Sequence, residues 1–202
     1  MELRELLARR RMVRSFDGTP LDEAWLDELC SQALRAPTAG NSAGVRMYTL
    51  GARYVEPYLA VATDEAWRKK SRRYPGLRRA GAIVLVTARV SDYLERYGEA
   101  DKTTSDLSER SAWPLPYWHT DAAMATMALL LLLEESDWQV ALWGNFRNDA
   151  AVMNWAGIHD EELFATLLIG RADGGDPPSP SLSRSVPTRR ARVLRLTPSS
   201  PS

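Results

Sequence analysis

Residues 122–133 form an uncharged run in which Thr126 is the single polar side chain, and Asp121 and Glu134 close it at either end. The run falls well short of the roughly 20 apolar residues a helix needs to cross a bilayer, so it must be hidden inside a protein interior. We expect it as the centre of a core helix over residues 119–135. Whatever fold the chain adopts has to surround that helix.

Helix and strand signals alternate around it. Leu3, Leu6 and Leu7 with charges between them predict a short amphipathic helix over 2–11, ending in Arg9, Arg10 and Arg11, where positive charge suits a helix C-terminus. Thr19 and Pro20 read as an N-cap and first-turn pair, followed by Leu21, Trp25, Leu26, Leu29, Ala33 and Leu34 at helical spacing. Residues 45–50 read as a strand. After a charged helical stretch, residues 82–86 read as a second strand, apolar throughout and therefore buried on both faces. A short helix over 91–96, a long loop over 98–117, strands over 139–143 and 163–169, and a helix over 148–156 complete the pattern. The alternation places the class at α+β or α/β. From Ala172 the composition shifts to Gly, Pro and Ser, with a basic knot at Arg189, Arg190 and Arg192.

Charge and composition narrow the functions available. The 202 residues suit one domain. Lys and Arg total 26 and Asp and Glu total 26, so no net field holds the chain on nucleic acid or on an anionic membrane. Cys30 is the single cysteine, which excludes an intramolecular disulfide, and with two histidines few soft ligands remain for a transition metal. A reducing cytoplasm fits this inventory. Charge interrupts residues 1–16 every two or three positions, so no secretory leader is expected there.

Three constellations could carry chemistry. Arg9, Arg10, Arg11 and Arg14 offer forked donors matched to phosphate, although a solvated helix end reads the same way. Pro37, Thr38, Ala39, Gly40 and Asn41 form a turn between a helix and a strand. Its amides and side chains suit a heterocycle edge or a polyol chain, and an ordinary connection would look alike. Trp143, Gly144 and Asn145 end a strand where a missing side chain lets a ligand approach main-chain donors, or simply close a strand-to-helix turn.

Taken in order, these segments resemble the FMN-dependent nitroreductase family. Arg10-Arg11-Met12-Val13-Arg14-Ser15-Phe16 matches the family's Arg-Arg-Ser-x-Arg-x-Phe. Ala36-Pro37-Thr38-Ala39-Gly40-Asn41-Ser42 matches its Ala-Pro-Ser-x-x-Asn-Ser-Gln. The likeness continues through the helix from Asp121, the strand into Gly144, the strand ending Ile169-Gly170-Arg171, and the Arg189-Arg190 pair. Residues 114–119 and 179–182 look most like a branch found in actinobacteria.

The resemblance implies a three-layer α/β/α fold of the α+β class, with a central, mostly antiparallel sheet in an intertwined homodimer. Residues 1–171 would form the FMN-binding domain, and the Pro/Ser-rich extension 172–202 would pack on the partner subunit. Arg10, Arg11, Met12 and Arg14, with Arg189 or Arg190, would hold FMN. Met12 replaces a Ser, so only its backbone could serve. Pro37, Thr38, Ala39 and Asn41 would reach the flavin of the other subunit, and main-chain donors at Trp143 and Gly144 would face its reactive edge. Asp137-Trp138-Gln139 stands where Gly-Leu-Gly is usual. Ala43 replaces a Gln on the substrate side, where Trp113, Tyr117 and Trp118 could stack over a planar substrate or else anchor the following helix.

The flavin would carry the chemistry without a catalytic side chain, passing hydride from NADH or NADPH to an aromatic or conjugated acceptor in ping-pong order. The same flavin could run in reverse, as an oxidase or dehydrogenase of a natural-product intermediate. Met12, Ala43 and the altered Gly-Leu-Gly also fit a decayed binding or interaction protein.

Overall fold

The computed structural model describes residues 2–144, 147–176, 178–179, 183 and 193. In chain order the main elements are α1 (Leu3–Arg9), α2 (Glu23–Ala33), β1 (Val45–Gly51), α3 (Val55–Ala62), α4 (Glu65–Lys70) and α5 (Tyr74–Leu77). There follow β2 (Ala82–Ala88), α6 (Val90–Tyr97), α7 (Tyr117–Glu135), β3 (Gln139–Trp143), α8 (Asp149–Ala156) and β4 (Glu162–Gly170). The strands form one antiparallel sheet in the order β1-β2-β4-β3, so β2 and β4 lie inside and β1 and β3 at the edges.

Strand periodicity explains the layers. Successive side chains of a strand point to opposite faces. Ala82, Val84 and Val86 of β2 therefore enter one core with Leu26, Leu29 and Ala33 of α2 and Ala125, Leu129 and Leu133 of α7. Ile83 and Leu85 enter a second core with Val55, Tyr58 and Leu59 of α3 and Val152 and Met153 of α8. Helices on both faces make a three-layer α+β fold. They also explain why β2 is buried along its whole length, as its apolar run requires.

Three helix boundaries differ notably from expectation, the first being that α1 stops at Arg9 and leaves Arg10 and Arg11 beyond its end. The second helix begins at Glu23 because Asp22, not Thr19, is its cap: Asp22 Oδ1 accepts Trp25 N–H at 2.7 Å. The core helix starts at Tyr117, two residues early, with Pro116 at its N-cap position. Residues 98–116 form a connection that carries two single 3-10 turns. No described helix is long and apolar enough to cross a membrane.

Candidate active site

The segment leaving α1 runs along the free edge of β3. Met12 bridges Val140 in the parallel sense, and Val13 N–H donates to Val140 O at 3.1 Å. Beyond β4 the chain returns to pin the same segment. Asp17 N–H donates to Arg171 O at 3.0 Å, Ser15 Oγ donates to Asp173 at 3.0 Å, and Arg14 N–H donates to Asp176 Oδ2 at 3.1 Å. The Gly175 N–H, then the Ser15 hydroxyl, hold the Asp173 carboxyl below its ordinary range. Gly76 of α5 presses on this backbone so closely that a Cβ would stand 2.6 Å from Ser15 Cα.

The arginines of this segment have separate uses. Arg9 reaches Glu134 and Asp137, each at 3.0 Å. Arg11 folds back on the carbonyls of Ala8, Arg9 and Arg10 and so caps its own helix. Arg10 differs, because its Nη1 is buried with no hydrogen-bond partner among the described residues. A buried guanidinium nitrogen left without an acceptor is costly, and it is what an anion-binding group looks like before its anion is considered.

At the end of β3, Trp143 and Gly144 open onto a cavity of about 370 Å³ lined also by Thr63, Trp67, Arg147 and Asn148. The Trp67 ring meets Trp143 edge-on at 5.3 Å. Ahead of β3, Asp137 takes φ 59°, the left-handed conformation that suits glycine. The backbone there thus follows a glycine-like path without a glycine, and its carboxylate accepts from Arg9.

The loop at 37–43 lies elsewhere, ahead of β1 at the opposite edge of the sheet. Gly40, Asn41 and Ala43 all have positive φ, at 62°, 58° and 53°. Ala39 N–H donates to Asp121 Oδ2 at 2.8 Å, Ala43 N–H to Thr38 Oγ1 at 3.2 Å, and Arg96 Nε to Gly40 O at 2.8 Å. Pro37, Asn41 and Ala43 are exposed. One chain therefore does not bring its loop and its arginine segment together.

The aromatic residues divide as well. Trp113 and Trp118 are buried with Tyr93 in a third cluster, where Trp113 also packs against Tyr97 at 4.8 Å. Trp118 Nε1 donates to Glu162 at 3.0 Å, and His119 Nε2 lies 2.9 Å from the same carboxylate. Tyr117 is 40% exposed, so it is the member of the trio with a ring open to solvent. Asn145, Arg189 and Arg190 lie outside the described residues. Sequence reading passed over Trp67, Arg147, Asn148 and Asp176, and also Tyr93, Arg96 and Asp121; of these, only Asp121 carried a signal, as the acid that opens the apolar run.

A three-layer antiparallel fold with arginines along one sheet edge and a restrained loop at the other defines a class, and the family follows from comparison. The Nitroreductase family profile matches residues 7–171, and the chain belongs to that family of oxidoreductases. Among curated proteins, none matches. Solved structures share the fold. The nitroreductase CinD from Lactococcus lactis, in complex with nicotinic acid, has a TM-score of 0.73 at 16% identity over 97% of this chain and 100% of its own. A nitroreductase-like protein from Streptococcus mutans has a TM-score of 0.71 at 16% identity, covering 96% of each chain. A protein from Exiguobacterium sibiricum in complex with FMN has a TM-score of 0.66 at 14% identity, over 96% of this chain and 98% of its own.

Proposed function

We propose that the protein is an FMN-dependent oxidoreductase working as a homodimer, with each flavin between the arginine segment of one subunit and the 37–43 loop of the other. One observation supports the reading: the arginine segment and the 37–43 loop sit at opposite edges of one sheet, and the arginine segment holds a buried guanidinium nitrogen with no described partner. Arg10 and Arg14 suit the dianionic phosphate, joined in this reading by Arg189 or Arg190, with Arg11 and the backbone of Met12 along the same edge. Pro37, Thr38, Ala39 and Asn41 suit the polar chain and ring edge. Main-chain groups at Trp143 and Gly144 would face the reacting edge, and Tyr117 and Ala43 would border the acceptor.

Bound FMN would supply the redox chemistry, a ping-pong hydride transfer between NADH or NADPH and a nitroaromatic, quinone or other conjugated acceptor. The chain itself positions the ring and places positive charge near it, Arg14 foremost. Support for an aromatic acceptor comes from CinD, which was solved with nicotinic acid, 4-nitrophenol and chloramphenicol.

The dimer reading draws on exposed apolar surface. Leu3 and Leu7 of α1 are 57% and 51% exposed, and a groove between α1, α2 and α7 is lined by Leu3, Leu6, Ala128, Leu131 and Leu132. A helix as apolar as α7 belongs in an interior on all sides, which a second copy completes. In the same reading residues 1–171 are the catalytic domain, residues 172–176 stay on their own chain against the 14–17 segment, and the remaining residues of the 172–202 extension pack on the partner. The outer edge of β1, which pairs with no described strand, and the apolar cleft beside it lined by Tyr48, Leu50, Tyr54 and Trp155 offer a place for them. Cytoplasmic residence agrees with the buried free thiol of Cys30.

The visible spectrum of the purified protein, recorded before and after anaerobic NADH or NADPH, tests the proposal. Flavin bands that bleach within seconds are expected. Bound flavin that stays oxidised would reassign the protein to a substrate-driven oxidase or dehydrogenase, and a colourless protein that refuses added FMN would end the flavoenzyme reading.

A further inference from the structure

Asp121 sits in the first turns of α7 and is 2% exposed. Oδ2 accepts two hydrogen bonds, from Ala39 N–H at 2.8 Å and from Tyr93 Oη at 3.0 Å, while the Thr120 hydroxyl, 3.4 Å from Oδ1, donates to Tyr117 O at 2.8 Å. Among the described residues it forms no ion pair. Burying a carboxylate without a cation is expensive, and hydrogen bonds are what make it tolerable. A group kept at such expense acts on what it bonds, and it bonds the 37–43 loop.

That loop cannot hold its own shape. Three of the four residues 40–43 have positive φ, and left-handed backbone is strained for a non-glycine residue such as Asn41 or Ala43. Within the loop, Asn41 N–H to Thr38 O, Ser42 N–H to Ala39 O and Ala43 N–H to Thr38 Oγ1 make the hydrogen bonds. The remaining restraint comes from outside. Arg96 of α6 holds Gly40 O, the Tyr97 ring closes on Gly40, and the Tyr93 ring closes on Gly44. Beneath the loop lies a cavity of about 170 Å³ lined by Leu34, Thr38, Ala43, Val45, Asp121 and Ala125. The loop thus has space to collapse into once its tether is cut.

We infer that Asp121 is a positioning residue. Its carboxylate, shared between Ala39 N–H and Tyr93 O–H, latches the 37–43 loop in the shape that receives the partner subunit's flavin. The inference rests on the FMN reading above. It adds that cofactor affinity is governed from the first turns of α7 and from α6, through a loop those elements restrain. Tyr93 suits the second donor role because burial, then the Asp121 charge, raise its pKa and keep the phenol protonated at any physiological pH.

Two readouts on the full-length protein separate the latch from general stability. Amide hydrogen exchange of residues 38–43, followed by mass spectrometry without FMN, reports the loop; quenching of flavin fluorescence on titration of FMN-free protein reports affinity. Asp121→Asn replaces charge-assisted bonds with weaker neutral ones, so it should speed loop exchange at least tenfold and raise the FMN Kd about tenfold. Tyr93→Phe should move both in the same direction by about threefold. Val152→Ala, in the opposite core, should lower the melting temperature while leaving loop exchange and Kd in place.

Loop exchange unchanged in Asp121→Asn would overturn the latch. Faster exchange with an unchanged Kd would overturn its role in cofactor retention. Should Asp121→Asn fail to fold, Tyr93→Phe decides by the same two readouts. Wild-type protein that binds no FMN would defeat the functional proposal and the flavin role together, and loop exchange in the same variants would still show whether Asp121 restrains the loop.

Discussion

Four arginines within six positions look interchangeable until their partners are counted. Arg9 is committed to Glu134 and Asp137 and Arg11 to carbonyls of its own helix, which leaves Arg10 and Arg14 for an anion. The buried Nη1 of Arg10 has no described acceptor, so the free protein carries a desolvation cost that bound phosphate would offset. Arg10→Met should therefore raise the melting temperature of FMN-free protein by a few degrees while weakening FMN binding about tenfold, measured by thermal unfolding and flavin titration. Opposite signs are the point, since a merely structural arginine would lower both. Arg14→Ala should reduce FMN retention at least tenfold, read as flavin occupancy after gel filtration, because a charge-assisted bond to phosphate contributes about 1.5–3 kcal/mol. Ala43 holds φ 53°, so Ala43→Gly should relieve strain and raise stability by up to about 1 kcal/mol, after the extra entropy of a glycine in the unfolded chain is subtracted.

At the scale of elements, what the sequence disclosed depended on whether the cause was local. β2 was legible because a strand between two helical layers has to be apolar at every position, and α7 because its run can lie nowhere but inside. The start of α2 was misread: Thr19-Pro20 is a good cap signal, and Asp22 three residues later is the one whose carboxylate meets a free N–H. The grip on the 37–43 loop was not legible at all. Ala39 and Asp121 are 82 positions apart, and Arg96 and Gly40 are 56 apart, so no local spacing announces either bond. The apolar stripe of α2 did announce its cysteine. Burial, with a smaller push from Asp27, raises the Cys30 pKa to about 12. In the unfolded chain the thiol ionises near its ordinary value, about 8.5, so above that pH the unfolded state binds fewer protons than the folded one. This group leaves stability unchanged below about pH 8 and lowers it as pH climbs from there toward 12. A thiol-specific chromogenic disulfide should leave the native protein unlabelled at pH 8 and react fully on unfolding.

For the molecule as a whole, sheet order sets the logic of assembly. The arginine segment lines β3 and the 37–43 loop precedes β1, and β2 and β4 lie between them, so no small adjustment lets one chain close a flavin between its own two halves. Two copies related by a twofold axis would solve this, each lending its loop to the other's arginines as proposed above, and the apolar faces of α1 and α7 are where such copies would meet. Light scattering should accordingly give a dimer mass for the FMN-bound protein, and a monomer retaining flavin would refute the arrangement. A stricter test mixes lesions. Arg14→Ala damages the arginine half-site and Asp121→Asn the loop half-site, so either homodimer has two impaired sites. A heterodimer carrying one lesion on each subunit concentrates both in a single site and leaves the other wild type if the halves come from different chains. Purified by orthogonal tags, it should bind close to one FMN per dimer with wild-type affinity. If each chain built its own site, both sites would stay damaged and the tight-binding fraction would vanish.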